Sequence, residues 1–232
     1  MNTILITGAN RGIGLELSRQ YYQDGWHVIA CIRNVEKKSE LDKLTNHPSQ
    51  GRLSIYALDV THPKEIHTLA KQLENQPIDI LFNNAGIWGA SNQALETTEP
   101  AAWLNTFKVN VIAPLLMVRS FVQQVEKSSL KIIANMSSIM GSISLNTSSG
   151  EYIYRSSKAA LNAVTKNLSI DLKDQGIIAV ALHPGWVQTD MGGELASITP
   201  ETSVKGLHKV LSSLSLEDTG TFISYDGLRL SW

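Results

Sequence analysis

The chain has one cysteine, Cys31, so no disulfide can form within it, and the small disulfide-stapled scaffolds are excluded. Cys31 lies in the apolar run HVIACI and reads as a buried structural thiol, with the cytoplasm as the expected compartment. Positive charge is not in excess. The 232 residues carry a net charge of −1, and the densest lysine group, EKKSELDK (Glu36 to Lys43), alternates its signs as a solvated helix face does. Neither nucleic acid nor an anionic membrane is therefore an expected partner. No run approaches the ~18 apolar residues of a membrane-spanning helix, and the start MNTILITGAN lacks the basic segment and apolar stretch of an export signal. The six histidines are scattered, without the close pairing with Cys or Asp that a metal site requires, so no metal is expected.

What is present is apolar sequence in short, regular doses. Hydrophobic residues make up 43% of the chain and charged residues 18%, enough to bury a sizeable core. Branched apolar runs read as strands: Thr3 to Thr7, Trp26 to Ile32, Leu53 to Leu58, Ile78 to Asn83, Lys131 to Met136, Ile177 to His183 and a short one at Gly220 to Ser224. Between them lie segments with apolar spacings of three and four, the longest at Pro100 to Lys127 and Tyr152 to Gly176, which read as helices. Alternation of this kind predicts one α/β domain over residues 1–232. Its core is expected to be a Rossmann-type, doubly wound parallel sheet of about seven strands with helices on both faces. Asp24-Gly25 and Gln175-Gly176 are expected to end helices, Pro63 and Pro100 to start them, and Pro114 to kink the fourth.

The first predicted strand runs into TGANRGIG, Thr7 to Gly14, which opens a helix. Gly8 permits the tight turn, Gly12 lets main-chain N–H groups approach a pyrophosphate, and Gly14 lets the helix pack closely on the sheet. No Lys-Ser or Lys-Thr pair follows, which argues against a phosphoryl-transfer loop. About twenty residues on, dinucleotide folds place an acid for a ribose 2′-hydroxyl or an arginine for a 2′-phosphate. Here Arg33 stands at that place with no acid between Gly25 and Asn34, and Arg11 offers a second positive group. NADP(H) is the expected cofactor in preference to NAD(H).

In GEYIYRSSKAAL, Tyr154 and Lys158 are four apart and share a helical face, whereas Tyr152 and Lys158 are six apart and diverge. A phenol beside an ammonium is a candidate proton donor, the charge being expected to lower its pKa. Further along the same predicted sheet edge, NMSS ends the fifth strand with Ser137 and Ser138, FNNAGIWG follows the fourth and HPGWVQTDMGG the sixth. Ligands of open α/β sheets bind at that edge.

Taken in this order, the motifs resemble those of the short-chain dehydrogenase/reductases over nearly the whole chain, and most closely the carbonyl-reductase-like branch that includes the sniffer and C-factor proteins. The resemblance implies an NADP(H)-dependent oxidoreductase that moves a hydride between nicotinamide and a small carbonyl or alcohol substrate, assembled as a homo-oligomer, dimer or tetramer. The other implied reading is an NADP(H)-binding regulatory or C-factor-like signalling protein with little turnover. It implies a catalytic set of Asn110, Ser138, Tyr154 and Lys158. Cofactor contacts are implied in the first turn at Gly8, Asn10, Arg11, Gly12, Ile13 and Gly14, then at Arg33, Asp59 and Val60. They continue at Asn84, Ala85 and Gly86 and, beside Asn110, Tyr154 and Lys158, at Pro184, Gly185, Val187 and Thr189. By the same resemblance Ser138 holds the carbonyl oxygen, Tyr154 gives the proton, Lys158 binds the ribose and tunes the phenol, and Asn110 holds a water. The interval from Ser138 to Tyr154, sixteen residues, is long for the family, so SISLNTSSG is expected to bulge near the substrate mouth, and Ser142 stays an alternative to Ser138.

Overall fold

The computed structural model describes residues 1–46 and 51–232. Seven parallel strands form one sheet in the order β3-β2-β1-β4-β5-β6-β7. They are β1 (Thr3–Thr7), β2 (His27–Ile32), β3 (Arg52–Ala57), β4 (Ile80–Asn83), β5 (Ile132–Met136), β6 (Ile178–His183) and β7 (Phe222–Ser224). Alternate residues of a strand face opposite sides. Ile4, Ile6, Val28, Ala30 and Phe82 enter one core, which they share with Leu17 of α1 (Gly12–Gln23) and Leu207 of α7 (Pro200–Ser213). Leu5, Ile29, Leu81 and Ile133 enter the other. That second core is closed by Ile66 of α3 (Pro63–Gln72), Phe121 of α5 (Ala113–Glu126) and Leu168 of α6 (Tyr152–Asp171). Both faces of the sheet are therefore buried, which accounts for strands that are apolar throughout rather than alternating.

The expected punctuation is largely in place. Gly25 and Gly176 follow helical segments with φ of 81° and 72°, and Pro63 and Pro100 start α3 and α4 (Pro100–Phe107). The second predicted helix shrinks to one α turn, α2 (Ser39–Asp42), and a 3-10 turn at Lys43–Asn46; its predicted last residue, His47, lies outside the described residues. At Pro114 the expected kink takes the form of a π turn, Lys108–Ile112, between α4 and α5. Proline brings no N–H to the carbonyl four residues back, that of Asn110, and the helix widens there.

The same run corrects one expectation: Pro100–Glu126 contains an 18-residue window of mean hydropathy 1.4, long and apolar enough by composition to cross a bilayer. Its apolarity has a structural outlet, since Met117, Phe121 and Val125 are fully buried against the sheet. Cys31 is buried on β2, and burial pushes its thiol up to about 12, leaving it an inert core group. Strand order reverses between β1 and β4, and the loops leaving the carboxyl ends of β1, β4, β5 and β6 converge beside that break.

Candidate active site

The turn after β1 is built for close approach. Gly8 and Gly12 take left-handed φ values of 67° and 52°, and a Cβ on Gly14 would lie 2.2 Å from the Gly8 carbonyl oxygen. Arg11, extended at the N-cap of α1, makes no side-chain cap bond, so the first-turn N–H groups have no such partner. Gly12, Ile13 and Gly14 line a cavity of about 730 Å3. An anion-binding helix start of this shape suits a pyrophosphate. Asn84 fixes the opposite wall: its Nδ2 donates to the Thr7 and Gly8 carbonyls at 2.9 and 3.2 Å, while the Asn84 and Ala85 N–H groups donate to Thr7 Oγ1. Beneath it runs a buried chain in which Asn83 Nδ2 donates to Asn135 Oδ1 and Asn135 Nδ2 donates to Thr165 Oγ1.

All the residues expected to hold the cofactor line this cavity except Asn110, Gly185 and Val187. Val187 is buried and bridged to Ile198; Gly185, at φ 84°, would press a Cβ to 2.5 Å from Ile198. The side chain of Asn110 is committed: its Oδ1 accepts from Ile87 N–H, and its Nδ2 donates to the Ile87 carbonyl and to Ser157 Oγ. Pro114, four residues on, brings no N–H to the Asn110 main-chain carbonyl.

At the far end of the cavity Arg33 stands with Lys37, a cation that the alternating charges of its segment concealed. Asp59 shares that end. Burial alone would raise its pKa, but hydrogen bonds from Thr61 and the charges of His62 and Arg33 hold it below the usual carboxylate range. Arg11, the other expected positive group, lines the cavity too, and its Nη1 pairs with Asp190 Oδ2 at 2.7 Å across the cavity mouth. The loop after β6 thereby lies on the glycine turn, with Thr189 Cγ2 3.2 Å from where a Gly12 Cβ would sit.

The predicted catalytic groups meet at the inner end. Ser138 lies near enough to the Tyr154 phenol to affect its ionisation, and Lys158 Nζ lies 5.6 Å from the centre of the tyrosine ring while donating to the Met136 carbonyl at 2.7 Å. Tyr152 is half-exposed and outside this group. Ser142 is spoken for: its hydroxyl donates to the main-chain carbonyls of Ser231 and Trp232 at 2.8 and 3.1 Å. The expected bulge is the exposed stretch 143–149, held at Ser148 by Arg155 Nη2.

The electrostatics depart from the sequence-based expectation. Burial pushes the Tyr154 phenol up to about 12, the nearby Ser138 hydroxyl opposing it, and pushes Lys158 down to about 8. Desolvation, rather than the neighbouring ammonium, dominates at the tyrosine. The phenol is thus protonated at neutral pH, the state a proton donor needs. His183, pushed down to about 4 by burial, is neutral, and its Nδ1 accepts the Ile139 N–H beside Ser138.

A parallel sheet with a glycine turn at its reversal point, and with Tyr154 and Lys158 opening on the same cavity beside Ser138, defines a nucleotide-dependent oxidoreductase of the short-chain type. The chain belongs to the short chain dehydrogenase family, whose pattern matches residues 2–198. Among solved structures it is similar to the carbonyl reductase Sniffer of D. melanogaster, 36% identical with a TM-score of 0.92 over 100% of both chains. It is also similar to the NADPH-bound carbonyl reductase from chicken fatty liver, 36% identical with a TM-score of 0.89, covering 100% of this chain and 99% of that one. C-signal of Myxococcus xanthus is 40% identical over 156 residues, 67% of this chain and 93% of that protein.

Proposed function

We propose that the protein reduces aldehydes or ketones with NADPH. The observation that carries this reading is that Tyr154 and Lys158 open together on the cavity that the glycine turn begins, with the Ser138 hydroxyl near the phenol. Arg33 and Lys37 favour the 2′-phosphorylated cofactor, since guanidinium and ammonium groups attract a phosphate dianion that an acid would repel. NADPH would supply the hydride for the carbonyl carbon.

The chain's own part is positioning and the proton. Ser138 Oγ donates to the substrate oxygen and holds it next to the Tyr154 hydroxyl, which passes its proton to that oxygen as the alcohol forms. Lys158 places an ammonium beside the phenol, stabilising the phenolate left behind, and its remaining N–H groups can reach the cofactor ribose. A water on the Asn110 carbonyl would return the proton from solvent. Exposed Leu104, Ile112 and Leu115 on the α4–α5 run favour pairing of subunits through that face.

The test is a panel of aldehydes and ketones incubated with purified protein and NADPH, followed by loss of NADPH absorbance. Turnover that disappears in Tyr154→Phe supports the reading. NADPH binding without turnover of any carbonyl would instead favour a regulatory role.

A further inference from the structure

The loop leaving β4 reaches Tyr154 twice. The Trp88 indole stacks on the Tyr154 ring, with centroids 4.4 Å apart and planes 29° from parallel. Gln93, 5% exposed, divides its amide between the start of α6 and its own loop. Its Oε1 accepts the Tyr154 main-chain N–H at 2.8 Å, and its Nε2 donates to the Trp88 and Ala90 carbonyls, each at 3.0 Å. Tyr154 lies in the first turn of α6, where main-chain N–H groups have no partner within the helix. Glu151, at the N-cap position, has a left-handed φ of 47° and makes no side-chain cap bond. Gln93 supplies one from 61 residues away.

We propose that Trp88 and Gln93 form a clamp that positions Tyr154 for proton transfer. The proposal rests on Tyr154 as the proton donor. A phenol ring packed only by aliphatic neighbours can turn and tilt, whereas an offset stack favours one plane. That plane fixes where the hydroxyl points, and a displacement of ~1 Å at a reacting group can cost ~100-fold in rate. Gln93 makes the two contacts one device, because the amide that fixes the backbone of Tyr154 also fixes the backbone of the residue stacked on its ring. The β4 loop, otherwise a cofactor wall, becomes part of the proton-delivery geometry.

The test uses NADPH and a carbonyl the wild type reduces, with Trp88→Phe, Trp88→Leu, Gln93→Glu and Tyr154→Phe. Phenylalanine keeps the stack and should hold kcat within about threefold of wild type. Leucine fills the site without stacking; kcat should fall about tenfold with NADPH Kd unchanged, and the solvent deuterium isotope effect on kcat should rise as proton delivery becomes slow. Gln93→Glu can still accept from Tyr154 but can no longer donate to the Trp88 and Ala90 carbonyls, so it should show the same signature and carries the test if Trp88→Leu does not fold. Equal kcat in Trp88→Leu and Trp88→Phe, or an unchanged isotope effect in the slowed variants, would overturn the clamp. Undiminished turnover by Tyr154→Phe is a separate result that would remove the donor assignment itself.

Discussion

Lys158→Met should stabilise the free protein while destroying its activity. Lys158 is 4% exposed, and among the described residues its hydrogen-bond acceptor is the neutral Met136 carbonyl rather than a carboxylate. Burial takes its pKa from 10.5 to about 8. At ~1.4 kcal/mol for each tenfold change in proton affinity, that is ~3 kcal/mol against the folded state at neutral pH. Methionine removes this cost and keeps the apolar stem, but it leaves the Met136 carbonyl without its donor, a loss of ~1–3 kcal/mol. The net effect should be a gain of ~1 kcal/mol, or roughly 2–4 °C in Tm for a chain of this size. The pH dependence is the sharper test. Because the folded pKa lies below the unfolded one, folding expels the lysine proton between about pH 8 and pH 10.5, and wild-type stability should rise with pH across that window. Urea denaturation of both proteins at intervals from about pH 7 to pH 10 should show the wild type gaining up to ~3 kcal/mol relative to the variant. Parallel curves would refute the buried, unpaired ammonium.

Arg33→Asp should cost NADPH ~1.5–3 kcal/mol of binding and shrink or reverse its advantage over NADH, leaving Lys37 as the remaining cation at that end. Equal wild-type affinities for the two cofactors in a fluorescence titration would contradict the assignment. Tyr154→Phe should nearly abolish turnover with cofactor affinity little changed, while Tyr152→Phe stays within a few-fold of wild type; steady-state kinetics in the reverse order would exchange the two roles. Ser138→Ala should lower kcat/KM by ~100-fold, whereas Ser142→Ala should leave kinetics near wild type and lower Tm, since its hydroxyl holds main-chain carbonyls of Ser231 and Trp232.

The parts of the site that could be read from sequence are those whose partners are near in the chain or set by the strand pattern. Gly8, Gly12 and Gly14 follow a strand that any reading of Thr3 to Thr7 finds, and Tyr154 and Lys158 meet because both ride one helix. The rest of the site depends on long-range packing. The Gln93 cap on Tyr154 joins a loop and a helix start with no spacing rule between them, and the Arg11–Asp190 pair spans 179 residues. Lys37 is not legible in the sequence, because charge alternation describes a solvated face and a cavity-facing one equally well. The rise of the Tyr154 pKa in the cofactor-free protein has a related origin: the ammonium four residues away is visible in the sequence, whereas the desolvation comes from the whole fold.

The strand order also dictates how the protein must come into being. β4 joins β1 through Ile4↔Ile80, beside a strand laid down 76 residues earlier, and β7 completes the sheet through Ala181↔Phe222. Pairings of such sequence separation form slowly, because loop closure precedes the contacts that reward it. The cavity walls come from the ends of six strands, β1 to β6, so a half-assembled sheet has the glycine turn but no Tyr154 and Lys158 to face it. Nucleotide binding and turnover should consequently return together, and last, during refolding. Added NADPH would then raise the final yield by mass action on the finished fold and leave the early rate untouched.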